Sequence, residues 1–221
     1  MIGGRSATVA GLRTFAMFER LSDAALKAIA QRATMRRMAR NDIVVRAGDA
    51  TDSVYLILSG NLKVLVEDEE GNEVIFSLLG PGDVFGEMGV LDDKPRSATV
   101  ICLSSCTLAV ITQADFMRCL REHFEVTEYM MRGLVRRLRD ADRRIESLAL
   151  MDVNGRVARL LLDMAETVDG KPTIRGRISR QDIARMVGAS REMVSRVMKD
   201  LREQGLIEES EGQIVLHDLT G

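Results

Sequence analysis

The pattern of apolar positions changes character three times along the chain. After a loose start, "LSDAALKAIAQRATMRRM" places Leu21, Ala25, Ile29 and Ala33 on one face, which predicts a short helix over residues 21–38 with Ser22 or Asp23 as its N-cap. From Asn41 to about Ile111 the apolar residues come in short runs: "DIVVRAG", "SVYLILSG", "NLKVLVEDEEG", "NEVIFSLLG", "ATVICL" and "CTLAVI". Glycines punctuate them, and many short strands joined by Gly turns predict an all-β barrel or jelly roll. "EDEEGNEV" reads as an acidic hairpin tip around Gly71. Helical spacing returns with "DFMRCLREHF", and a long helix without Pro is expected from about Val126 to Leu150. On it Met131, Leu134, Leu138, Ala141, Ile145 and Leu148 keep a strict 3-4-3-4-3 spacing. A helix packed on its own domain shows a wider stripe of period 3.6, whereas this narrow seam predicts pairing with a second chain, a homodimer.

Asp152 starts a further helix, "DVNGRVARLLLDMAETV", which the break "DGKPT" ends. The next stretch, "ISRQDIARMVGASREMVSRVMKDLREQGLI", holds two helices around a tight turn. Ser179 caps the first, whose apolar face is Ile183, Ala184 and Val187, and Gly188 permits a left-handed turn. Ser190 caps the second, with Val194, Val197, Met198 and Leu201 inward and Gly205 as its stop. This is a helix-turn-helix pattern, and "LIEESEGQIVLH" beyond it predicts a small hairpin, a wing. The fold class is therefore α+β: a β-roll over residues 1–124, a long dimerisation helix over 125–151 and a winged helix-turn-helix over 152–221.

Charge sharpens the last assignment. The 221 residues carry a net charge of −2, so attraction to nucleic acid must come from a local patch. Arg175 to Gly205 contains eight basic and four acidic residues, a local +4. The second helix leaves Arg191, Glu192, Arg196 and Lys199 outward. Arg holds guanine O6 and N7 bidentately and Glu accepts from cytosine N4, so Arg191, Glu192 and Arg196 form a G·C-reading set for double-stranded DNA. Ser179, Arg180, Gln181 and Ser190, at helix N-termini, suit phosphates. Cys102, Cys106 and Cys119 lack CxxC spacing, and the only histidines are His123 and His217, so no metal site is expected and the thiols are read as buried and structural. No apolar stretch is long enough to span a bilayer, no signal-like segment opens the chain, and a cytoplasmic location is expected. No nucleophile–base pair appears, which argues against an enzyme.

One stretch, "FGEMGVLDDKPRSATV" (residues 85–100), sets an acid, Glu87, and a base, Arg96, around a Gly-rich turn. It is either an exposed ion pair on a loop or a pocket for something bearing an anion and hydroxyl groups. Together with the helix-turn-helix and the joining stretch "LALMDVNGRVARLLL", it resembles the CRP/FNR family of bacterial transcription regulators over nearly the whole chain. The resemblance implies a cyclic-nucleotide effector and no cofactor. It implies that Glu87 accepts the ribose 2′-OH and that Arg96 pairs with the cyclic phosphate, helped by Ser97 and backbone N–H groups around Gly86. Met88 and Ala98 are counted with the pocket, Ala98 leaving room, and Gly86 and Gly89 let the backbone approach the ligand. It further implies a palindromic TGTGA-like operator and RNA polymerase as a partner, while leaving open whether polymerase touches the exposed 168–176 loop. The oxygen- and haem-sensing branches fit poorly, since no Cys precedes residue 102 and no His precedes residue 123.

The sequence departs from the cAMP-responsive members where two hydroxyl residues of the long helix contact adenine: here stand Ala141 and Asp142. An ionised carboxylate is acceptor-only and matches the N1–H and N2–H₂ of guanine better than adenine's edge. The effector expected is thus cGMP or cyclic di-GMP ahead of cAMP, with Arg139, Arg143 and Arg144 suited to a second phosphate. Alternatively Asp142 points to solvent or pairs with an Arg one turn away. Two other functions fit the same residues: a constitutive DNA binder with a vestigial pocket, or a ligand-binding regulatory subunit of an enzyme.

Overall fold

The short apolar runs fold into two antiparallel sheets backed by helices. The computed structural model describes residues 7–174, 178–210 and 212–217, and the chain divides into two units, Met1–Arg137 and Leu138–Gly221. In the first, α1 (Val9–Arg13), a 3-10 turn at Ala16–Phe18 and α2 (Asp23–Arg32) precede the strands. The strands are β1 (Thr34–Met38), β2 (Ile43–Val45), β3 (Ser53–Ser59), β4 (Leu62–Glu67), β5 (Glu73–Leu79) and β6 (Val84–Phe85); α3 (Glu87–Asp92) follows, then β7 (Thr99–Cys102) and β8 (Cys106–Thr112). One sheet has the order β1-β8-β3-β6 and the other β2-β7-β4-β5. This is the expected β-roll.

Both faces of the first sheet are covered, and strand alternation assigns each residue to a side. Val54 and Leu56 of β3 join Ala109 and Ile111 of β8 in a core with Phe15, Phe18, Leu26 and Phe116 from the helices. Tyr55 and Ile57 face the opposite way, with Leu62, Phe85, Val100, Cys102, Cys106 and Leu108. All three cysteines are free and buried, as the sequence predicts.

Two expectations need correction here. The helix over 21–38 ends at Arg32, capped by Ser22 at its start, and Thr34–Met38 is a strand paired antiparallel with β8 from Thr34↔Val110 to Met38↔Cys106. Ala33 is buried in the extended conformation, and the exposed arginines that follow sit on an edge strand, which tolerates charge. The stretch after β6, read as a Gly-rich turn, contains a helix. The acidic hairpin tip is as expected: Gly71 has φ +83°, and Asp68 accepts from the backbone N and Nδ2 of Asn72.

After α4 (Gln113–Glu122), α5 (Phe124–Leu150) runs for 27 residues. Val126 and Met130 at its start are buried, whereas Met131, Leu138, Ile145 and Leu148 of the seam are between 48% and 65% exposed.

The second unit comprises α6 (Val153–Met164), β9 (Glu166–Val168), β10 (Lys171–Ile174), α7 (Arg180–Val187), α8 (Arg191–Glu203), β11 (Ile207–Ser210) and β12 (Gln213–Leu216). Asp152 caps α6, its Oδ1 accepting from Gly155 N at 2.8 Å. The helix expected to reach Val168 stops at Met164, and the 168–176 loop is largely a hairpin: β9 and β10 turn at Asp169 and Gly170, both at positive φ. Arg175, Gly176 and Arg177 lie outside the described residues, as does Glu211 in the wing. The four strands form one sheet, β11-β12-β10-β9, and Val157, Leu161, Ile183, Val187, Val194 and Met198 fill the core. The turn between α7 and α8 is as the sequence predicts, with Gly188 left-handed at φ +65°.

Candidate functional site

Among the described residues, Glu87 and Arg96 are the only buried charged side chains, 1% and 5% exposed. The exposed-loop ion pair is therefore excluded. No direct bond joins the two; each is held by groups of its own. Arg96 Nη1 donates to Gly86 O and Nη2 to Ser53 O, both at 2.8 Å, and the guanidinium lies 5.5 Å from the centre of the Tyr55 ring. Tyr55 is in turn stacked on Phe85, centroids 4.9 Å apart. Among the described residues, the one carboxylate ion-paired with Arg96 is Asp52, at 3.5 Å and 84% exposed. A buried cation satisfied by carbonyls, with only a solvated carboxylate to balance it, is suited to an incoming anion.

Glu87 begins α3 and is ion-paired with Arg137 of α5, which also donates to Val84 O at 3.2 Å. Sequence reasoning misses Arg137, since nothing in a helix rich in arginines marks the one whose partner lies 50 residues earlier.

Gly86 is required where it stands. It has φ +83°, and a Cβ there would meet Arg96 Nη1 at 2.5 Å. Gly89 serves otherwise than expected: its Cβ direction is filled by Lys94 O and Thr51 Oγ1, each at 2.4 Å, so it closes α3 onto its own loop. Around the charged pair, Ala98 is buried, while Ser97 and Met88 are exposed. Ala141 and Asp142 are exposed on α5.

On the second unit, Arg191, Glu192, Arg196 and Lys199 are exposed on α8. Lys199 pairs with Glu203 at 3.6 Å, and among the described residues no ion pair engages Arg191, Glu192 or Arg196. Ser190 Oγ accepts from Met193 N, leaving its proton to donate. Ser179 is less available than expected: its Oγ accepts from Asp182 N and its proton goes to Asp182 Oδ2 at 2.7 Å. Arg180 is ion-paired with Glu209 of the wing, and Gln181 is exposed.

A cyclic nucleotide-binding domain matches residues 35–123, and a Crp-like helix-turn-helix domain matches 155–221. The cAMP-activated global transcriptional regulator Vfr of Pseudomonas aeruginosa is 38% identical over 179 residues, covering 78% of this chain and 84% of Vfr. The chain belongs to the CRP/FNR family of transcription regulators. The cAMP-activated regulator CRP of Pasteurella multocida is 35% identical over 178 residues, 79% of this chain and 85% of that one. Among solved structures, the c-di-GMP-responsive global regulator CLP of Xanthomonas campestris superposes with a TM-score of 0.74 at 27% identity, covering 89% of this chain and 100% of CLP. As a member of the family, the chain is a DNA-binding transcription regulator with a cyclic-nucleotide effector domain rather than an enzyme.

Proposed function

We propose that the chain is a homodimeric regulator in which Arg96 takes the cyclic phosphate of a nucleotide and Glu87 its ribose 2′-hydroxyl. The observation that carries this reading is the burial of Arg96 with no buried counter-ion. Ser97 and the backbone around Gly86 assist at the phosphate, and Met88 and Ala98 line the pocket. Arg137 holds Glu87 until the sugar arrives. The exposed seam of α5 supports pairing with a second copy through Met131, Leu134, Leu138, Ala141, Ile145 and Leu148. Arg191, Glu192 and Arg196 read a palindromic TGTGA-like operator, while Arg180, Gln181, Ser190 and Lys199 meet phosphates. RNA polymerase is the expected partner of the DNA-bound dimer, and the exposed turn at Asp169–Gly170 is a surface offered to it.

By sequence register the base-contacting positions are Ala141 and Asp142, so the effector contains guanine, cGMP or cyclic di-GMP, although Vfr and CRP are cAMP-activated. The test is fluorescence anisotropy of a labelled TGTGA palindrome at fixed salt, without ligand and with cAMP, cGMP or cyclic di-GMP. A change in affinity with a guanine nucleotide alone supports the Asp142 argument, in either direction of change. A response to cAMP alone makes Asp142 a bystander. One observation favours a second reading: Arg96 and Glu87 are both satisfied by the chain's own groups. A constitutive DNA binder with a vestigial pocket predicts the same affinity under all four conditions.

A further inference from the structure

The wing carries acid where a phosphate-facing surface calls for base. Beyond the stretch with its local +4, Glu208, Glu209 and Glu211 follow within six residues of Gly205 and reduce the balance over 175–211 to +1. Pairing of β11 with β12 at Glu208↔Val215 and Glu209↔Ile214 sends the two described acids to opposite faces of the hairpin. Glu208 lies 3.5 Å from His217 Nε2 at the open end of the wing. Glu209 turns the other way and ion-pairs with Arg180, the first residue of α7. The two side chains are 29% and 27% exposed, so water screens this pair less than it does a fully solvated one. Arg180 is one of the cations expected on DNA phosphate, and a carboxylate offers a guanidinium the same pair of anionic oxygens that a phosphate offers.

We propose that Glu209 is an internal stand-in for a DNA phosphate: it positions Arg180 and sets the strength and salt dependence of DNA binding. A duplex must take Arg180 away from Glu209, or bind without it. In both cases one phosphate contact is weakened by an intramolecular competitor. Phosphate contacts carry no sequence information, so the penalty falls equally on operator and random DNA. Arg191, Glu192 and Arg196, on α8, keep their base preferences. This inference rests on the regulator reading above and concerns only the residues that set its affinity.

The experiment measures anisotropy of the full chain on an operator duplex and a random duplex over a salt series, with Glu209→Gln, Arg180→Gln and the double variant. Expected for Glu209→Gln is a gain of about threefold to tenfold on both duplexes, with log affinity against log salt steeper by about one. In the Arg180→Gln background the same change does nothing. Glu208→Gln, removing an acid that does not touch Arg180, leaves the slope unchanged. The proposal is overturned if Glu209→Gln binds like the parent, or if it gains as much when Arg180 is already gone, since loss of negative charge then suffices. A parent chain that binds no duplex under any nucleotide overturns the regulator reading as well. Binding by the parent with an indifferent Glu209→Gln overturns only this one.

Discussion

Arg96 shows how much a single side chain can be asked to hold. Its two Nη groups reach carbonyls on either side of the site, Gly86 after β6 and Ser53 at the start of β3, and its charge faces the Tyr55 ring. A lysine has one nitrogen and no plane, so it cannot bridge both carbonyls and still present charge to a phosphate. Arg96→Lys should cost about 2 kcal/mol in urea unfolding, from the loss of a charged hydrogen bond, and at least about tenfold in nucleotide affinity by calorimetry. Equal affinity for parent and variant would remove Arg96 from the phosphate site. The thiols make a separate prediction. Burial pushes Cys119 up to about 11, and burial together with the neighbouring Cys106 thiol pushes Cys102 up to about 12, from an ordinary 9.0. The folded chain therefore keeps protons that the unfolded chain has released, and these groups destabilise the fold as pH climbs from about 9 through the folded values, with no effect below. The parent should lose more stability between pH 9 and 11 than Cys119→Ala does, and a thiol reagent at pH 8 should label neither Cys119 nor Cys102 before unfolding. At this scale the sequence marks Glu87 and Arg96, because an acid and a base flanking glycines within a dozen residues are conspicuous. Arg137 is invisible, because its role depends on a contact 50 residues away along the chain.

At the scale of elements, legibility follows how locally each one is determined. Ser22, Asp152, Ser179 and Ser190 all cap helices as their sequence positions predict, since a cap involves only the next three residues. β1 fails as a prediction because "TMRRM" acquires its strand character only from pairing with β8, 68 to 76 residues on. The six-residue α3 is too short to show a helical period, and it is closed by Asp93 in the left-handed region, which no pattern of apolar residues reveals. The helix-turn-helix is held by a contact of the same hidden kind. Arg156 Nε donates to Val187 O at 2.9 Å, and its Nη groups reach Met151 O and Gly188 O. One guanidinium thus ties the end of α5 to the turn between α7 and α8. Arg156→Ala should lower the stability of the second unit by about 2 kcal/mol, read from its thermal transition, because carbonyls that received charged donors are left to water. An unchanged transition would make these bonds incidental.

At the scale of the whole molecule, the proposed homodimer depends on the seam on α5. A helix exposing Met131, Leu138, Ile145 and Leu148 to water gains nothing from their apolar character, and at roughly 25 cal/mol per Å² each leucine buried in a dimer contributes about 1–2 kcal/mol. The 3-4 spacing puts all of them on the line that a two-stranded coiled coil buries. In the proposed dimer the seam would also bear on DNA binding, since a half-site met by one α8 would be weak and two met together would multiply. A double variant, Leu138→Glu with Ile145→Glu, places like charges opposite each other across the two-fold and leaves the cores of both units untouched. It should sediment as a monomer and lose at least about a hundredfold in affinity for the palindrome, while binding a single half-site as the parent does at equal protomer concentration. Nucleotide affinity should fall less than operator affinity, because Arg96 and Glu87 belong to the first unit, whereas the proposed base contacts at Ala141 and Asp142 lie on α5 beside the substituted positions. A variant that stays dimeric would mean that the strict heptad spacing serves some packing other than the coiled coil. A monomer that still held the palindrome as tightly as the parent would uncouple the seam from operator recognition altogether.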